Sequence, residues 1–262
     1  MIALDFGFGP LEAEFWRWVF LMTRIGAALV AAPFFGTANV SAQIRVITAA
    51  AIALLVANWV PIPALPNLFS LPGFLAIMGE VLIGTALGFV LQFAFAAPTI
   101  AAELMGGAMG MSLAATVDPQ NGRQSPALGQ YFGVMLTLVF FGLGAHLQWI
   151  GLLVKSYTAF PPGQVLGAFG PDKFLTIVSF ATSMLVTAVV MAVPVVLVLF
   201  LIQTLAGVLS RSAPALNLFS LGLPAGIIGG IVALVVSAPM ISDRMVGLTA
   251  DAISASGSLL VR

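Results

Sequence analysis

The charged residues of this chain are separated by unusually long uncharged intervals. No Asp, Glu, Lys or Arg occurs in residues 46–79, 81–102, 124–154, 174–210 or 212–242. Each interval is at least as long as the roughly 20 residues that a helix needs to cross the hydrocarbon core of a bilayer. Because the intervals are also strongly apolar, the pattern predicts several membrane-spanning helices.

The overall composition supports the same class of protein. Hydrophobic residues make up 61% of the 262 residues and charged residues only 7%, with a mean hydropathy of +1.15, whereas a soluble domain has about 25% charged residues. We therefore expect an all-α polytopic membrane protein embedded in a lipid bilayer. The nine basic and nine acidic residues give a net charge of zero without a basic tract, so no nucleic-acid partner is expected. The absence of cysteine excludes disulfides and thiolate metal sites.

The hydropathy pattern predicts six apolar segments in a single domain that covers residues 1–262. They are residues 15–35, 47–60, 73–97, 129–154, 174–208 and 221–241. Pro194 lies inside the fifth segment and is expected to kink it. The residues after 241 are interpreted as a tail of small residues. Asp5, Glu12 and Glu14 near the start are atypical of a cleaved signal peptide, which begins with positive charge.

A glycine- and methionine-rich stretch, ELMGGAMGMSLAATVDPQ, begins at residue 103 between two apolar segments. Each glycine weakens a helix by about 1 kcal/mol relative to alanine, methionine side chains adapt to irregular surfaces, and Asp-Pro favours a turn. Non-helical backbone at membrane depth is tolerated only inside protein or along a cavity. The stretch is therefore predicted to be a re-entrant loop within a bundle or pore, or a mobile connector.

A few polar residues and small-residue pairs are candidates for buried contacts. An ionised carboxylate such as Glu80 costs about 2.5–3.5 kcal/mol at bilayer depth, so it should face a partner or water unless it lies near the interface. Arg17 and Arg24 lie on one helix face and either snorkel or pair with carboxylates. His146 is the only histidine and is expected to make a polar contact between helices. Pairs of small residues four apart favour close helix packing; they are Gly84 with Gly88, Gly106 with Gly110, and Gly226 with Gly230.

Two alternative functions follow from these residues. Glu80 could be the proton or ion site of a small-molecule permease, although such a site needs several polar groups that meet near the midplane. Ser112 and His146 could form the catalytic pair of an intramembrane hydrolase. Leu113 stands where such proteases usually place a glycine, which weakens this second alternative.

Several separated motifs resemble the FliR family, the flagellar biosynthetic proteins R, and its relatives in virulence injectisomes. The motifs are ELMGGAMGMSLAATVDP, SPALGQYFGVMLTLVFFGLGAHLQWIGLLVKSYTAFPPG, SRSAPALNLFSLGLPAGIIGG, RIGAALVAAPFFGTANVSAQIR and GEVLIGTALGF. The resemblance covers nearly the whole chain. It implies a non-enzymatic subunit, without cofactors, of the type III export gate in the bacterial inner membrane, within the flagellar basal body.

The resemblance also implies partners. One R-type subunit would assemble with several P-type and Q-type subunits into a pore for unfolded flagellar proteins. A B-type switch protein and a larger export-gate subunit would bind this complex. The helices would be tilted rather than serpentine, which agrees with positive charges that do not follow a simple inside–outside alternation.

The resemblance further implies roles for individual residues. It predicts a pore plug formed by Glu103, Met105, Gly106, Gly107, Met109, Gly110, Met111, Asp118 and Pro119. It predicts helix packing or buried polar contacts at Arg24, Glu80, Gly84, Gly88, His146, Arg211, Pro214 and Asn217. The family pattern is also matched at Pro33, Arg45, Ser156, Pro161 and Pro224. Ala215 departs from the glutamine of many relatives, which puts a polar contact from that position in doubt.

Overall fold

A computed structural model of the chain describes residues 10–36, 40–60, 70–111, 126–163, 169–212 and 218–261. These ranges contain seven helices and no strand. The helices are α1 (Pro10–Ala31), α2 (Ala42–Trp59), α3 (Leu71–Ala108), α4 (Pro126–Gly142), α5 (Ala145–Ala159), α6 (Pro171–Ser212) and α7 (Leu218–Ser258). The prediction of an all-α protein is confirmed.

Four of these helices, α2, α3, α6 and α7, are long and apolar enough to cross a membrane. A fifth span is added if the bent pair α4 and α5 counts as one broken crossing. The described helices therefore confirm a polytopic membrane protein, with four or five candidate spans where hydropathy indicated six segments. The difference arises mainly at α1, whose first half is interrupted by Glu12, Glu14 and Arg17.

The fourth predicted segment, residues 129–154, is two helices rather than one. α4 ends at Gly142, and α5 begins after Gly144, which adopts a left-handed conformation with φ +67°. Glycine reaches this region without steric cost, so the Gly-Leu-Gly sequence permits the break. The amides of Leu147 and Gln148 then donate to the Gly144 carbonyl and start the new helix.

The third predicted segment, residues 73–97, is part of a longer helix. α3 continues through Pro98 to Ala108, so the glycine- and methionine-rich stretch begins as helix. Backbone groups in a bilayer need internal hydrogen bonds, and this requirement outweighs the low helix propensity of Gly106 and Gly107. The fifth predicted segment lies in α6, which is one continuous helix through Pro194.

The expected tail after residue 241 is the second half of α7. Most of its buried residues recur every three or four positions, at Ile241, Met245, Leu248, Ala252 and Ser256. This spacing forms one face of a helix. The interpretation as a tail was wrong because small and polar residues lower the hydropathy without removing the helical pattern.

The chain divides into two compact units. Unit 1 comprises Met1–Phe93, Gly144–Ala181 and Asp251–Arg262, and unit 2 comprises Ala94–Leu143 and Thr182–Ala250. Three of the boundaries fall inside α3, α6 and α7, and the fourth falls at the break before α5. The assignment of residues 1–262 to one domain stays a prediction.

Large apolar side chains cover much of the exposed surface of α6 and α7. Only 28% of the most apolar window of α6 and 22% of that of α7 are buried within the chain. Val235 is 69% exposed and Val236 is 76% exposed. Such continuous apolar surface is typical of helices that face lipid or further membrane-embedded chains.

Candidate functional site

Unit 1 contains a fully buried ion pair between α1 and α3. The Nε of Arg24 donates to Oε2 of Glu80 at 2.7 Å, and both side chains are 0% exposed. A buried ion pair is stable only when its remaining polar atoms also have partners, because both ions have left water. The hydrogen-bond partners of each ion therefore decide whether this pair is a fixed structural contact.

Arg24 uses its other nitrogens to bind α5 and the turn that follows it. Nη1 donates to Oγ of Ser156 at 3.0 Å, and Nη2 donates to the carbonyl of Phe160 at 2.9 Å. The guanidinium also lies over the ring of Tyr157, 4.1 Å from its centroid. The rigid fork of an arginine suits such a multiple contact, which lysine could not reproduce. Arg24 thus joins three helices of unit 1.

The second oxygen of Glu80 binds the backbone after α5. Oε1 accepts a hydrogen bond from the amide of Gly163 at 3.3 Å. Gly163 has φ +83°, a conformation that glycine adopts without strain. Both oxygens of the carboxylate are therefore engaged, which fixes the Pro-Pro-Gly turn against α3.

Close backbone packing brings α1 and α3 together at the same place. A Cβ at Gly84 would lie 2.2 Å from the carbonyl oxygen of Arg24, and a Cβ at Gly88 would lie 2.5 Å from the Cβ of Ala31. Only glycine fits at these two positions. The pair Gly84 and Gly88 therefore packs within this chain, and the close crossing places Glu80 within reach of Arg24.

Two aromatic residues of α5 complete this region with buried hydrogen bonds. The hydroxyl of Tyr157 donates to the carbonyl of Leu21 at 2.7 Å, and Nε1 of Trp149 donates to the carbonyl of Leu87 at 3.3 Å. Both aromatic residues are buried. We call Arg24, Glu80, Ser156, Tyr157 and Gly163 the charged core of unit 1.

Unit 2 contains seven of the nine residues of the predicted plug. Glu103, Met105, Gly106 and Gly107 lie in the last turns of α3, where Glu103 and Gly107 are exposed and Met105 and Gly106 are buried. Met109, Gly110 and Met111 form the turn that ends the helix. Asp118 and Pro119 lie outside the described residues.

The turn at Gly110 is a Schellman motif, a common helix end stabilised by two backbone hydrogen bonds. Gly110 has φ +80°. Its amide donates to the carbonyl of Gly107 at 3.0 Å, and the amide of Met111 donates to the carbonyl of Gly106 at 3.0 Å. Gly110 therefore ends α3 at a defined residue. The low helix propensity of the glycines in this stretch predicts a weak helix but does not predict this capping role.

The end of α3 is held against α6 and α7 inside unit 2. Nε2 of Gln203 on α6 donates to the carbonyl of Ala108 at 2.7 Å. Met109 is 3% exposed and packs on two glycines of α7: a Cβ at Gly230 would lie 2.5 Å from its Cε, and a Cβ at Gly226 would lie 3.5 Å from its carbonyl oxygen. We call Ala108, Met109, Gln203 and Gly230 the α3 anchor.

The remaining predicted residues do not join either group. His146 is half-buried at the start of α5. Arg211 is exposed in the last turn of α6, where its charge is favourable at the carboxyl end of the helix dipole. Its role in helix packing or a buried polar contact stays a prediction. Pro214 and Asn217 lie outside the described residues, as does Ser112.

Four residues of these groups were missed in the sequence: Ala108, Tyr157, Gly163 and Gln203. A signal existed for the last of them, since Gln203 is the only Gln or Asn in the uncharged interval 174–210. Tyr157 and Gly163 lie in the motif SYTAFPPG, but nothing in the motif indicates a contact with Arg24. Among the described residues, no group of His, Asp and Glu could hold a metal ion.

The helices and the two groups of contacts define a polytopic membrane protein with a charged core and an anchored glycine- and methionine-rich segment. Residues 15–252 match the family of bacterial export proteins, family 1, and the chain belongs to that family. The resemblance to the FliR family is thereby confirmed.

Individual relatives support this assignment. The chain is 30% identical over 227 residues to the flagellar biosynthetic protein FliR of Pectobacterium carotovorum subsp. carotovorum, which covers 87% of this chain and 84% of that protein. It is 32% identical over 215 residues to FliR of Bacillus subtilis strain 168, covering 81% and 82%. It is also 30% identical over 213 residues to the surface presentation of antigens protein SpaR of Shigella flexneri, covering 78% and 80%.

Proposed function

We propose that this chain is the R-type subunit of a flagellar type III export gate in the bacterial inner membrane. It forms, with P-type and Q-type subunits, a pore through which unfolded flagellar proteins leave the cytoplasm. A B-type switch protein and a larger export-gate subunit bind the same complex in the basal body. The subunit has no enzymatic role, and its glycine- and methionine-rich segment helps to close the pore.

The end of α3 is the observation that carries this proposal. In a family of export proteins, the part of α3 in unit 2 ends at Ala108 in a turn capped by Gly110, and Gln203 and Met109 anchor this end to two other helices. The chain that continues towards Asp118 and Pro119 therefore leaves α3 at a fixed point. A segment held at its base suits a plug better than an unattached connector does.

The exposed apolar surface supports neighbouring subunits. α6 and α7 leave large side chains exposed along most of their length, for example Phe200 at 66% and Val236 at 76%. A lone subunit would present this surface to lipid on every side. We assign part of it to contacts with P-type and Q-type subunits.

The buried carboxylate argues against the permease alternative. Both oxygens of Glu80 are engaged, one by Arg24 and the other by the amide of Gly163. A transported proton or cation would have to displace these contacts. We therefore assign Glu80 a structural role in unit 1.

Co-purification tests the assembly directly. The tagged chain would be expressed with and without the P-type and Q-type subunits of the same cell and isolated in mild detergent. We expect one copy of this chain in a stable complex with both partners. Recovery of the monomer alone under all conditions, from cells whose flagellar export is intact, would contradict the proposal.

A further inference from the structure

We infer that Gln203 and Gly230 are positioning residues of the plug, because together they hold the last turn of α3 and set where the plug segment begins. The role of this segment as a plug rests on the proposed function. The anchoring itself is a property of unit 2. Gln203 provides a hydrogen bond, and Gly230 provides the space in which Met109 lies.

The hydrogen bond of Gln203 completes the end of α3. The last carbonyls of a helix have no partner within it, and the Schellman motif satisfies those of Gly106 and Gly107. The amide of Met109 binds the carbonyl of Met105. The next carbonyl along the chain is that of Ala108, and Nε2 of Gln203 donates to it at 2.7 Å. Since an unsatisfied carbonyl is costly in a bilayer, this contact holds the end of α3 against α6.

The position of Gln203 on α6 indicates that its hydrogen bond to Ala108 is not incidental. The residue is exposed on an apolar face of α6, beside Leu201 at 53% and Leu205 at 63% exposure. An amide on such a surface is unfavourable unless its polar atoms are bound. The neighbouring Thr204 donates to the carbonyl of Phe200 within its own helix at 2.7 Å, so it has no link to α3. Thr204 is therefore a matched control.

The packing of Met109 is the second, independent part of the anchor. A Cβ at Gly230 would lie 2.5 Å from Cε and 2.6 Å from Cγ of Met109, so a methyl group there would displace this side chain. A Cβ at Gly226 would lie 3.5 Å from the Met109 carbonyl oxygen, an ordinary contact distance. Gly230→Ala and Gly226→Ala are thus a matched pair that differs in whether Met109 is displaced.

Cysteine labelling measures the anchor without relying on transport. The chain has no cysteine, so Met111→Cys gives a single thiol in the turn after α3. Its rate of reaction with a membrane-permeant maleimide would be measured in membranes that contain the assembled complex. Gln203→Leu and Gln203→Glu, which remove the N–H donor, should increase this rate about two- to tenfold, as expected for one lost hydrogen bond. Thr204→Val should leave it unchanged.

The packing of Met109 is tested with the same thiol at position 111. Gly230→Ala should increase the labelling rate, whereas Gly226→Ala should not. In a Met109→Ala background, Gly230→Ala should have no further effect, because the displaced side chain is absent; this cycle isolates the pairwise contact. The amount of complex recovered for each variant shows whether it folds and assembles.

The outcomes separate the anchor from the plug. Labelling rates that stay at the Met111→Cys baseline in Gln203→Leu, Gln203→Glu and Gly230→Ala would overturn the inference. Ion leakage through the same membranes is then compared with labelling. A rise in both supports anchor and plug together. A rise in labelling without a rise in leakage supports the anchor and contradicts the closing role given under the proposed function.

Discussion

Each of the two units of this chain is stabilised internally by a different kind of contact. In unit 1, Arg24 binds Glu80, Ser156 and the carbonyl of Phe160 with directional, charge-assisted hydrogen bonds in a fully buried core. In unit 2, the end of α3 is held by one neutral hydrogen bond from Gln203 and by the packing of Met109 on glycines. Charge-assisted bonds are about twice as strong as neutral ones.

This difference indicates a division of labour between the units. The charged core has one favourable geometry, because breaking the ion pair between Arg24 and Glu80 leaves a charge buried without its partner. Methionine on a glycine surface can repack at low cost, since its side chain is unbranched and flexible. We therefore expect unit 1 to be a fixed frame and the α3 anchor of unit 2 to release and re-form.

The largest effect is expected when the ion pair of unit 1 is broken. Glu80→Ala leaves Arg24 buried and uncompensated, which should destabilise the protein by about 3–5 kcal/mol. The measurements are the amount of protein in the membrane and the midpoint of thermal unfolding in detergent. The control is Glu14→Ala, which breaks the exposed pair with Arg17 at 3.5 Å; exposed pairs contribute about 0–1 kcal/mol.

If the Glu80→Ala protein is as stable and as abundant as the Glu14→Ala protein, the buried ion pair does not stabilise unit 1, and the distinction between the two units is contradicted. A second variant sharpens it: Arg24→Met combined with Glu80→Met removes both charges. We expect the double variant to be more stable than Glu80→Ala, because no unpaired charge remains.

A smaller loss of stability is expected when a side chain is added where α1 and α3 cross. Gly84→Ala places a Cβ at 2.2 Å from the carbonyl oxygen of Arg24, which is backbone and cannot move aside. Overpacking of this kind costs about 1–3 kcal/mol. The thermal midpoint should fall, whereas Gly26→Ala on α1, where a Cβ meets nothing within 4 Å, should leave it unchanged or raise it. Equal midpoints for the two variants would argue against the crossing.

The smallest effect is expected at Tyr157. Tyr157→Phe removes the donor to the carbonyl of Leu21 but keeps the ring beneath Arg24. A single neutral hydrogen bond contributes about 0.5–1.5 kcal/mol. Tyr157→Leu, which also removes the ring, should lower the midpoint further. If the two variants have the same midpoint, the contact between the ring and the guanidinium does not contribute.

Much of the fold follows from the sequence because membrane helices are specified locally. Long uncharged intervals predict α2, α3, α6 and α7, since a helix in lipid satisfies its own backbone. The break before α5 and the exact end of α3 depend on single glycines, Gly144 and Gly110, whose left-handed conformation is one option among several in any glycine-rich stretch. The second half of α7 carries a helical pattern that a hydropathy average conceals.

The charged core could be predicted only in part. Glu80 and Arg24 are conspicuous as charges within apolar sequence, yet they are 56 positions apart, and no local pattern pairs them. Ser156, Phe160 and Gly163 contribute a hydroxyl, a carbonyl and an amide, groups that occur throughout the chain. Their selection depends on the crossing at Gly84 and Gly88, which is a property of the folded chain.

Ion conductance through the assembled gate tests the central claim most directly. A chain that lacks residues 106–115 would be assembled with its P-type and Q-type partners, and the leakage of small ions would be measured in whole cells and in liposomes with the purified complex. The account predicts an assembled complex with leakage well above that of the full chain and of Glu14→Ala. Unchanged leakage from a fully assembled complex that still exports its substrates would contradict it.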